Sequence, residues 1–192
     1  MSPKKILLAA LIAAGTVGAA TASPINATGS VAVIGVSSVP SGSIGAGTTF
    51  SFAFSLLSGR TGDLSVVPVG SFLTTMSLTA TNGSAVQFDA LWGKFLGIVS
   101  TVTVLGPDTG RTVDVTAMGT FTPLAGPPDL TIYDPGQMTL TFSATQTGAT
   151  AAVSASYTVA SVANAVPEPG SLALVGLGLL AAGAAVRRKA LA

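Results

Sequence analysis

The sequence predicts an all-β fold: an antiparallel β-sandwich or jelly-roll-like domain, flanked by an N-terminal signal helix and a C-terminal transmembrane helix. From Ser30 to Val159, apolar and polar residues alternate in short runs, and Gly, Pro, Asn and Asp separate these runs. Successive side chains of a strand point to opposite faces, so this alternation is typical of antiparallel strands with one buried face. We expect about eight to ten such strands within residues 23–165.

Each predicted strand directs one set of apolar side chains toward the core. The clearest example is Thr49–Leu57, where every second residue from Phe50 onward is apolar. The predicted inward-facing sets are Phe50/Phe52/Phe54/Leu56, Phe72/Thr74/Met76/Leu78, Val86/Phe88/Ala90, Leu96/Ile98/Val102/Val104, Val113/Val115, Met138/Leu140/Phe142 and Val153/Ala155/Tyr157/Val159. Asn82-Gly83 predicts a tight hairpin turn, and Trp92 is expected in the core.

The N-terminus has the three-part order of a secretory signal. Lys4 and Lys5 precede an apolar run, Ile6–Ala14, and small residues follow it. Ala20 and Ala22 lie three residues and one residue before a cut after Ala22, where signal peptidase accepts only small side chains. Residues 1–22 are therefore predicted to be a signal peptide that directs export and is removed by signal peptidase.

The C-terminus also carries three consecutive features, beginning with Val166, Pro167, Glu168, Pro169 and Gly170. The two prolines favour an extended, accessible peptide over a helix. The uncharged residues 171–186 follow and would span about 24 Å as a helix, a marginal length for crossing a bilayer. The basic residues Arg187, Arg188 and Lys189 come next and are expected to remain on the cytoplasmic side.

In this order the three features resemble the PEP-CTERM sorting signal of exported bacterial proteins. The resemblance covers residues 166–192: the motif 166–170, the transmembrane helix 171–186 and the basic tail 187–192. It implies a transient anchor in the inner membrane, recognition and removal of the tail by an exosortase, and delivery to the cell surface or an extracellular matrix.

Charge and composition exclude several classes of function for the central domain. Five of the eight cations lie in the terminal segments, so the stretch from Ser23 to Val166 has three cations, six aspartates and a formal net charge of −3. It has no basic patch for nucleic acid. The chain contains no Cys and no His, which removes thiol nucleophiles, imidazole bases and Cys/His zinc sites. We therefore expect no catalytic residue, cofactor or metal, and no enzymatic activity.

These observations favour a non-catalytic role, structural or adhesive, in the envelope or in the exopolysaccharide of a biofilm. The domain would act by self-association along its long neutral strand edges, or by contact with polysaccharide. One alternative is a carbohydrate-binding module with exposed aromatic residues around Trp92, Phe95 or Tyr133.

A second alternative is a carbohydrate-active enzyme, which would need two carboxyl groups that converge in one cleft. The six candidate residues are Asp63, Asp89, Asp108, Asp114, Asp129 and Asp134. Most of them adjoin turn residues, where Asp is favoured by its bonds to nearby backbone. Asp129 and Asp134 could also contribute to a calcium site, although no loop there has the ligand spacing of a recognised calcium motif.

A minor alternative is ice binding through a regular array of threonines. Thr-x-Thr occurs four times, at Thr79/Thr81, Thr101/Thr103, Thr120/Thr122 and Thr139/Thr141. Threonines two residues apart share one strand face, so stacked pairs would form an ordered surface of hydroxyl and methyl groups. Thr is also simply a good residue for the solvated side of a strand, which explains the same pattern without any ligand.

Overall fold

A computed structural model describes residues 22–40, 42–74 and 77–162, all of which belong to one compact unit, Met1–Val162. Within them lie nine strands and a short 3-10 helix, Asp63–Val66. The strands are β1 (Ala27–Val39), β2 (Thr49–Gly62), β3 (Phe72–Leu73), β4 (Ser77–Thr79), β5 (Ala85–Ala90), β6 (Gly93–Leu105), β7 (Arg111–Pro123), β8 (Gly136–Gln146) and β9 (Val153–Ser161).

The strands form one antiparallel sheet in which most strands pair with their neighbours along the chain, and β1 also pairs with β9. The order is β3-β2-β1-β9-β8-β7-β6-β5, and β4 also pairs with β2. The sheet curls until its two ends meet. At this meeting point the amide of Thr74 donates to the carbonyl of Asp89 over 2.7 Å. The amide of Asp89 in turn donates to the Thr74 hydroxyl. The predicted all-β antiparallel fold is confirmed, as one continuous and nearly closed sheet.

The core fills the inside of this sheet and is rich in aromatic rings. Phe142 lies between Phe50 and Phe52, with ring centroids 5.0 and 5.7 Å away. Toward the other end of the sheet, the ring of Phe121 lies 5.7 Å from Trp92. Trp92 is only 2% exposed, which confirms its predicted place in the core. These contacts join the inner side of β2 to that of β8, and the inner side of β7 to the turn between β5 and β6, so burial of aromatic surface stabilises the closed sheet.

The inward-facing set predicted for β2 is wrong in its second half. Phe50 and Phe52 are buried, but Phe54 is 55% exposed, and Ser55 and Leu57 are buried in its place. The alternation slips by one residue opposite Gly35 of β1, which has a φ of 66°. A residue in this conformation bends the strand pair and turns the following side chains to the other face.

The set predicted for β6 is wrong in its first half, and Val104 in its second half is also exposed. Leu96 and Ile98 point outward and are 54% and 58% exposed, while Phe95 and Val99 are buried. The other two positions on the inner side of this half are glycines, Gly93 and Gly97. A Cβ at Gly93 would lie 1.9 Å from the Phe121 ring, and one at Gly97 would lie 2.7 Å from the Phe95 ring. Neighbouring rings occupy the space, so the apolar residues that dominate this run lie on the outside.

The alternation predicts one strand over residues 72–78, where the structure describes two short strands, β3 and β4; Met76 of the predicted set lies outside the described residues. Leu73 and Leu78 are buried, whereas Phe72 points outward. Phe72 is opposite Leu56, which points outward because it follows the slip in β2. Residues that pair directly across two strands share a face, so Phe72 points outward as well. The predicted inward position of Phe72 is therefore wrong for the same reason as that of Phe54.

The terminal helices predicted for the signal peptide and for residues 171–186 lie outside the described residues. In the part of the chain that the structure describes, no helix combines the length and the apolar character needed to cross a membrane.

Candidate binding surfaces

The predicted processing sites lie largely outside the described residues. These are Ala20 of the cleavage site, the motif residues Val166, Pro167, Glu168 and Pro169, and the basic residues Arg187, Arg188 and Lys189. Ala22 is described and exposed, and the fold begins directly after it. The carbonyl of Ser23 accepts a hydrogen bond from the amide of Asp134, and Ile25 is buried.

Four of the six aspartates each have a partner of their own. Asp63 accepts from the amide of Asn26 over 2.7 Å. Asp89 lies 3.5 Å from the Lys94 ammonium. Asp108 pairs with Arg111, and Asp129 accepts from both the amide and the hydroxyl of Thr131. Asp129 thus closes a local turn, as its sequence context indicated.

The other two aspartates differ in setting. Asp114 lies in the middle of β7, opposite Thr103 and Ser143. Asp134 contacts the N-terminal segment through its backbone. Within residues 22–40, 42–74 and 77–162, no three acidic side chains are grouped so that they could hold a metal ion.

Three titratable groups are shifted, each by its own surroundings. Two hydrogen bonds from Thr131 lower the pKa of Asp129, because both favour the charged carboxylate. The bond from the hydroxyl has the larger effect and the bond from the amide the smaller. Loss of solvent and the nearby charge of Asp63 raise the pKa of Tyr133. Burial raises the pKa of Tyr157, whose hydroxyl points into the core near Ser55. Of these three groups, Tyr133 is the one that faces a second titratable side chain, the carboxylate of Asp63.

The aromatic cluster expected for a carbohydrate-binding module does not form around Trp92 and Phe95. Both rings are buried, and Phe95 stacks on Phe88 with centroids 5.5 Å apart. Tyr133 alone of the three is partly exposed. Sugar stacking needs an open ring face, so Trp92 and Phe95 cannot provide it.

The Thr-x-Thr pairs do not stack on one another as predicted. Thr79 lies on β4 and bonds Thr49, far along the sheet from the other pairs. Thr120 is opposite Leu96 and Gln137, and Thr139 is opposite Met118 and Ala160. Of the eight predicted threonines, Thr101, Thr103 and Thr141 come together in neighbouring rows and the other five do not, because the order of the pairs along the chain carries no information about strand register.

A different array of hydroxyl side chains does form on the outer side of five adjacent strands. The pairing Ser30–Thr158–Thr141–Thr116–Thr101 crosses β1, β9, β8, β7 and β6 in a single row. The next row across β9, β8, β7 and β6 is Ser156–Ser143–Asp114–Thr103. We call these nine residues the hydroxyl face. Neighbouring strands lie about 4.8 Å apart, so the hydroxyl groups repeat at that interval.

Sequence reasoning missed the hydroxyl face because each strand supplies only one or two of its residues to a row. A signal was present in Thr139, Thr141, Ser143 and Thr145, which make one side of β8 continuously hydroxyl-bearing. The same holds for Ser154, Ser156 and Thr158 of β9. Only the register between strands shows that these sides join.

An apolar patch lies on the outer side of β1, β2 and β3. Ile34 is opposite Phe54, and Leu56 is opposite Phe72, so four apolar side chains are cross-strand neighbours that point outward. Ile34 and Phe54 are each more than half exposed. A contiguous outward-facing set of this kind is a common feature of interaction surfaces.

Next to the apolar patch, β1 has an unpaired edge. β9 pairs with β1 over Thr28–Ala32 only, whereas β2 follows β1 as far as Val39. Among the described residues, Val33–Val39 therefore has a strand partner on one side alone. We call this segment the open edge; it contains no charged residue, the feature that usually protects such edges.

Comparison with known families supports the interpretation of the C-terminal segment. A model described as the PEP-CTERM protein-sorting motif matches residues 165–189. No curated protein and no solved structure gives a significant match to the chain. The motif places the chain among exported proteins that pass through a membrane-anchored stage before processing. The protein is therefore an exported exosortase substrate that carries a C-terminal PEP-CTERM sorting motif.

Proposed function

We propose that the mature domain is a non-catalytic structural or adhesive protein of the cell surface or extracellular matrix, which contacts exopolysaccharide through the hydroxyl face. The observation that carries the proposal is the in-register row Ser30–Thr158–Thr141–Thr116–Thr101. It presents hydroxyl groups on consecutive strands, where a polymer of sugar hydroxyls can meet several of them at once.

The chemistry of the hydroxyl face fits a neutral, hydrogen-bonding partner. Each Ser or Thr hydroxyl donates one hydrogen bond and accepts others, as sugar hydroxyls do. Asp114 is the one charged residue of the nine. Individual contacts of this kind are weak in water, but many of them along one polymer combine through effective concentration. Binding should therefore depend on polymer length and little on salt.

The test is co-sedimentation of the mature domain, residues 23–165, with exopolysaccharide purified from the producing cells. The variant T116V/T141V/T158V removes three hydroxyls from one row and keeps the branched side-chain shape. We expect it to lose binding by at least about tenfold, since three lost hydrogen bonds at roughly 0.5 kcal/mol or more each sum to about 1.5 kcal/mol or more. T122V is the matched control, because Thr122 is exposed on the same strand as Thr116 but lies opposite Lys94, outside the rows.

Equal binding by the triple variant and by T122V would contradict a role for the hydroxyl face. Shortening of the polysaccharide during incubation would contradict the non-catalytic role and would favour the alternative of a carbohydrate-active enzyme. Thermal hysteresis in a solution of the domain would instead favour ice binding through the same rows.

A second candidate is self-association through the open edge, supported by the apolar patch beside it. An exposed strand edge can pair with another copy of the same edge, and outward apolar side chains add buried area to such a pair. The variant I34K places a charge at this edge and should reduce the association seen by analytical ultracentrifugation. I98K is the control, because Ile98 is equally exposed but lies on β6, which is paired on both sides.

A further inference from the structure

Both ends of the described chain leave the sheet at the same end. β1 begins beside the end of β9, where Thr28 pairs with Ala160. The Ser161 hydroxyl donates to the side-chain oxygen of Asn26 over 2.8 Å, and the amide of Val162 donates to the carbonyl of Gln137. The chain therefore enters and leaves the fold at one pole. We call this the exit pole; it consists of residues 23–26, 63–70, 91–92, 124–135 and Val162.

Loops of the exit pole expose apolar side chains although they are well anchored. Leu91 and Ile132 are 71% and 69% exposed, among the most exposed of the large apolar residues described. Each has a buried neighbour in its own loop, namely Trp92 and Leu130 respectively. Trp92 and Leu130 thus already provide the buried apolar residue of each loop. Packing of the core therefore does not explain why Leu91 and Ile132 are apolar. The third loop repeats the arrangement, with Val66 exposed beside the buried Val67.

The sequence limits how far the exit pole can be from the membrane. Only eight residues, 163–170, separate Val162 from the uncharged run that begins at Ser171. Eight residues reach about 28 Å at most, even when fully extended. During the membrane-anchored stage that the sorting motif implies, this tether therefore keeps Val162 close to the bilayer surface.

We propose that the exit pole rests on the lipid surface of the bilayer during the membrane-anchored stage, with Val66, Leu91 and Ile132 at the level of the headgroups. This inference depends on the membrane-anchored passage and is independent of the proposed contact with polysaccharide. Apolar side chains from separate loops, held near lipid by a short tether, gain from burial in the boundary between headgroups and acyl chains.

The charge at the exit pole predicts which lipids it prefers. Asp63, Asp129 and Asp134 all lie there. The hydrogen bonds from Thr131 favour the charged carboxylate of Asp129 and lower its pKa. An acidic surface is repelled by anionic lipids, so contact should be closer on zwitterionic phosphatidylcholine than on phosphatidylglycerol.

The test uses the anchored chain, residues 23–192, inserted into phosphatidylcholine vesicles that carry spin-labelled lipid, and measures only material that floats with the vesicles. Since the chain has no cysteine, I132C and L91C each give one site for a fluorescent label. L105C is the control, because Leu105 is 53% exposed but lies at the end of β6 farthest from the exit pole. We expect quenching by the lipid to be roughly twofold or more stronger at positions 91 and 132 than at position 105.

Equal quenching at all three positions would overturn the proposal. A decrease in quenching when phosphatidylglycerol replaces phosphatidylcholine supports the predicted lipid preference. Because no polysaccharide is present, failure of this test leaves the proposed function to its own experiment.

Discussion

The two sides of strand β8 are the clearest contrast within the molecule. On the inner side, Met138, Leu140 and Phe142 are completely buried. On the outer side, Thr139, Thr141 and Ser143 bear hydroxyls that join those of the neighbouring strands. The inner residues of β8 thus contribute to stability, and the outer residues of the same strand are available for binding. Substitutions on the two sides should therefore differ in which property they change.

The largest effect on stability is expected from F142A on the inner side. The Phe142 ring packs against both Phe50 and Phe52, so its removal leaves a cavity between β2 and β8. Loss of a buried Phe typically lowers the free energy of unfolding by about 3–5 kcal/mol. Chemical denaturation of the mature domain measures the change. A loss below about 1 kcal/mol would show that this part of the core is not closely packed.

A smaller loss, of about 1–3 kcal/mol, is expected when a methyl group is added to the inner side by G93A. A Cβ at Gly93 would lie within 2 Å of the Phe121 ring, which would have to move. G110A is the matched control, since a Cβ at Gly110 would meet no atom within 4 Å. Similar melting temperatures for G93A and G110A would contradict the packing described around Phe121.

Loss of the Gln146 side chain should cost about 1–3 kcal/mol, because it leaves buried backbone groups without partners. Gln146 accepts from the amide of Ile44 and donates to the carbonyls of Gly42 and Ala151, each at 3.0–3.1 Å. It thereby fastens the loop between β1 and β2 to the end of β8. In Q146A, amide hydrogen exchange at Ile44 should accelerate more than exchange in β7. A uniform change throughout the domain would argue against this local role.

The smallest effect on the inner side is expected from Y157F, at under about 1 kcal/mol near neutral pH. Among the described residues, the Tyr157 hydroxyl has no hydrogen-bond partner, so its removal leaves no group unpaired. Burial raises the pKa of Tyr157, so the folded state holds this proton more tightly than the unfolded state does. Stability should therefore fall as the pH rises above about 10, the ordinary Tyr value.

Denaturation between neutral pH and pH 11 checks this dependence. The original protein should lose stability more steeply than Y157F at the alkaline end. Parallel curves for the two proteins would mean that the Tyr157 hydroxyl reaches solvent.

The sequence was sufficient to predict the strands whose inner and outer sides differ most. In β7 and β8 the predicted residues Val113, Val115, Met138, Leu140 and Phe142 are all buried, and Ala117, Phe121 and Ala144 continue the same inner side. In β6 the strongest apolar residues, Leu96 and Ile98, lie outside, because glycines leave room inside for rings from other positions. In β2 the change of face depends on a glycine in the opposite strand. Both exceptions arise from contacts between strands, which alternation along one strand does not reveal.

The candidate surfaces were predictable to a lesser degree. The sorting motif is a continuous segment, so residues 166–170 could be identified directly and are included in the family match. The hydroxyl face combines residues from five strands, and the apolar patch depends on the slip in β2. Surfaces of this kind depend on the register between strands. That register is known only once the strands are paired in the fold, so alternation along the sequence does not reveal it.

The most direct test of the account is the methyl NMR spectrum of the mature domain during titration with exopolysaccharide. Thr methyl groups of the hydroxyl face, at Thr116, Thr141 and Thr158, should shift together with added polymer. Methyl groups of the inner side, such as those of Val115 and Leu140, should remain unchanged. Shifts confined to the open edge or the exit pole, with none at these threonines, would contradict the claim that the outer side of β7, β8 and β9 binds polysaccharide.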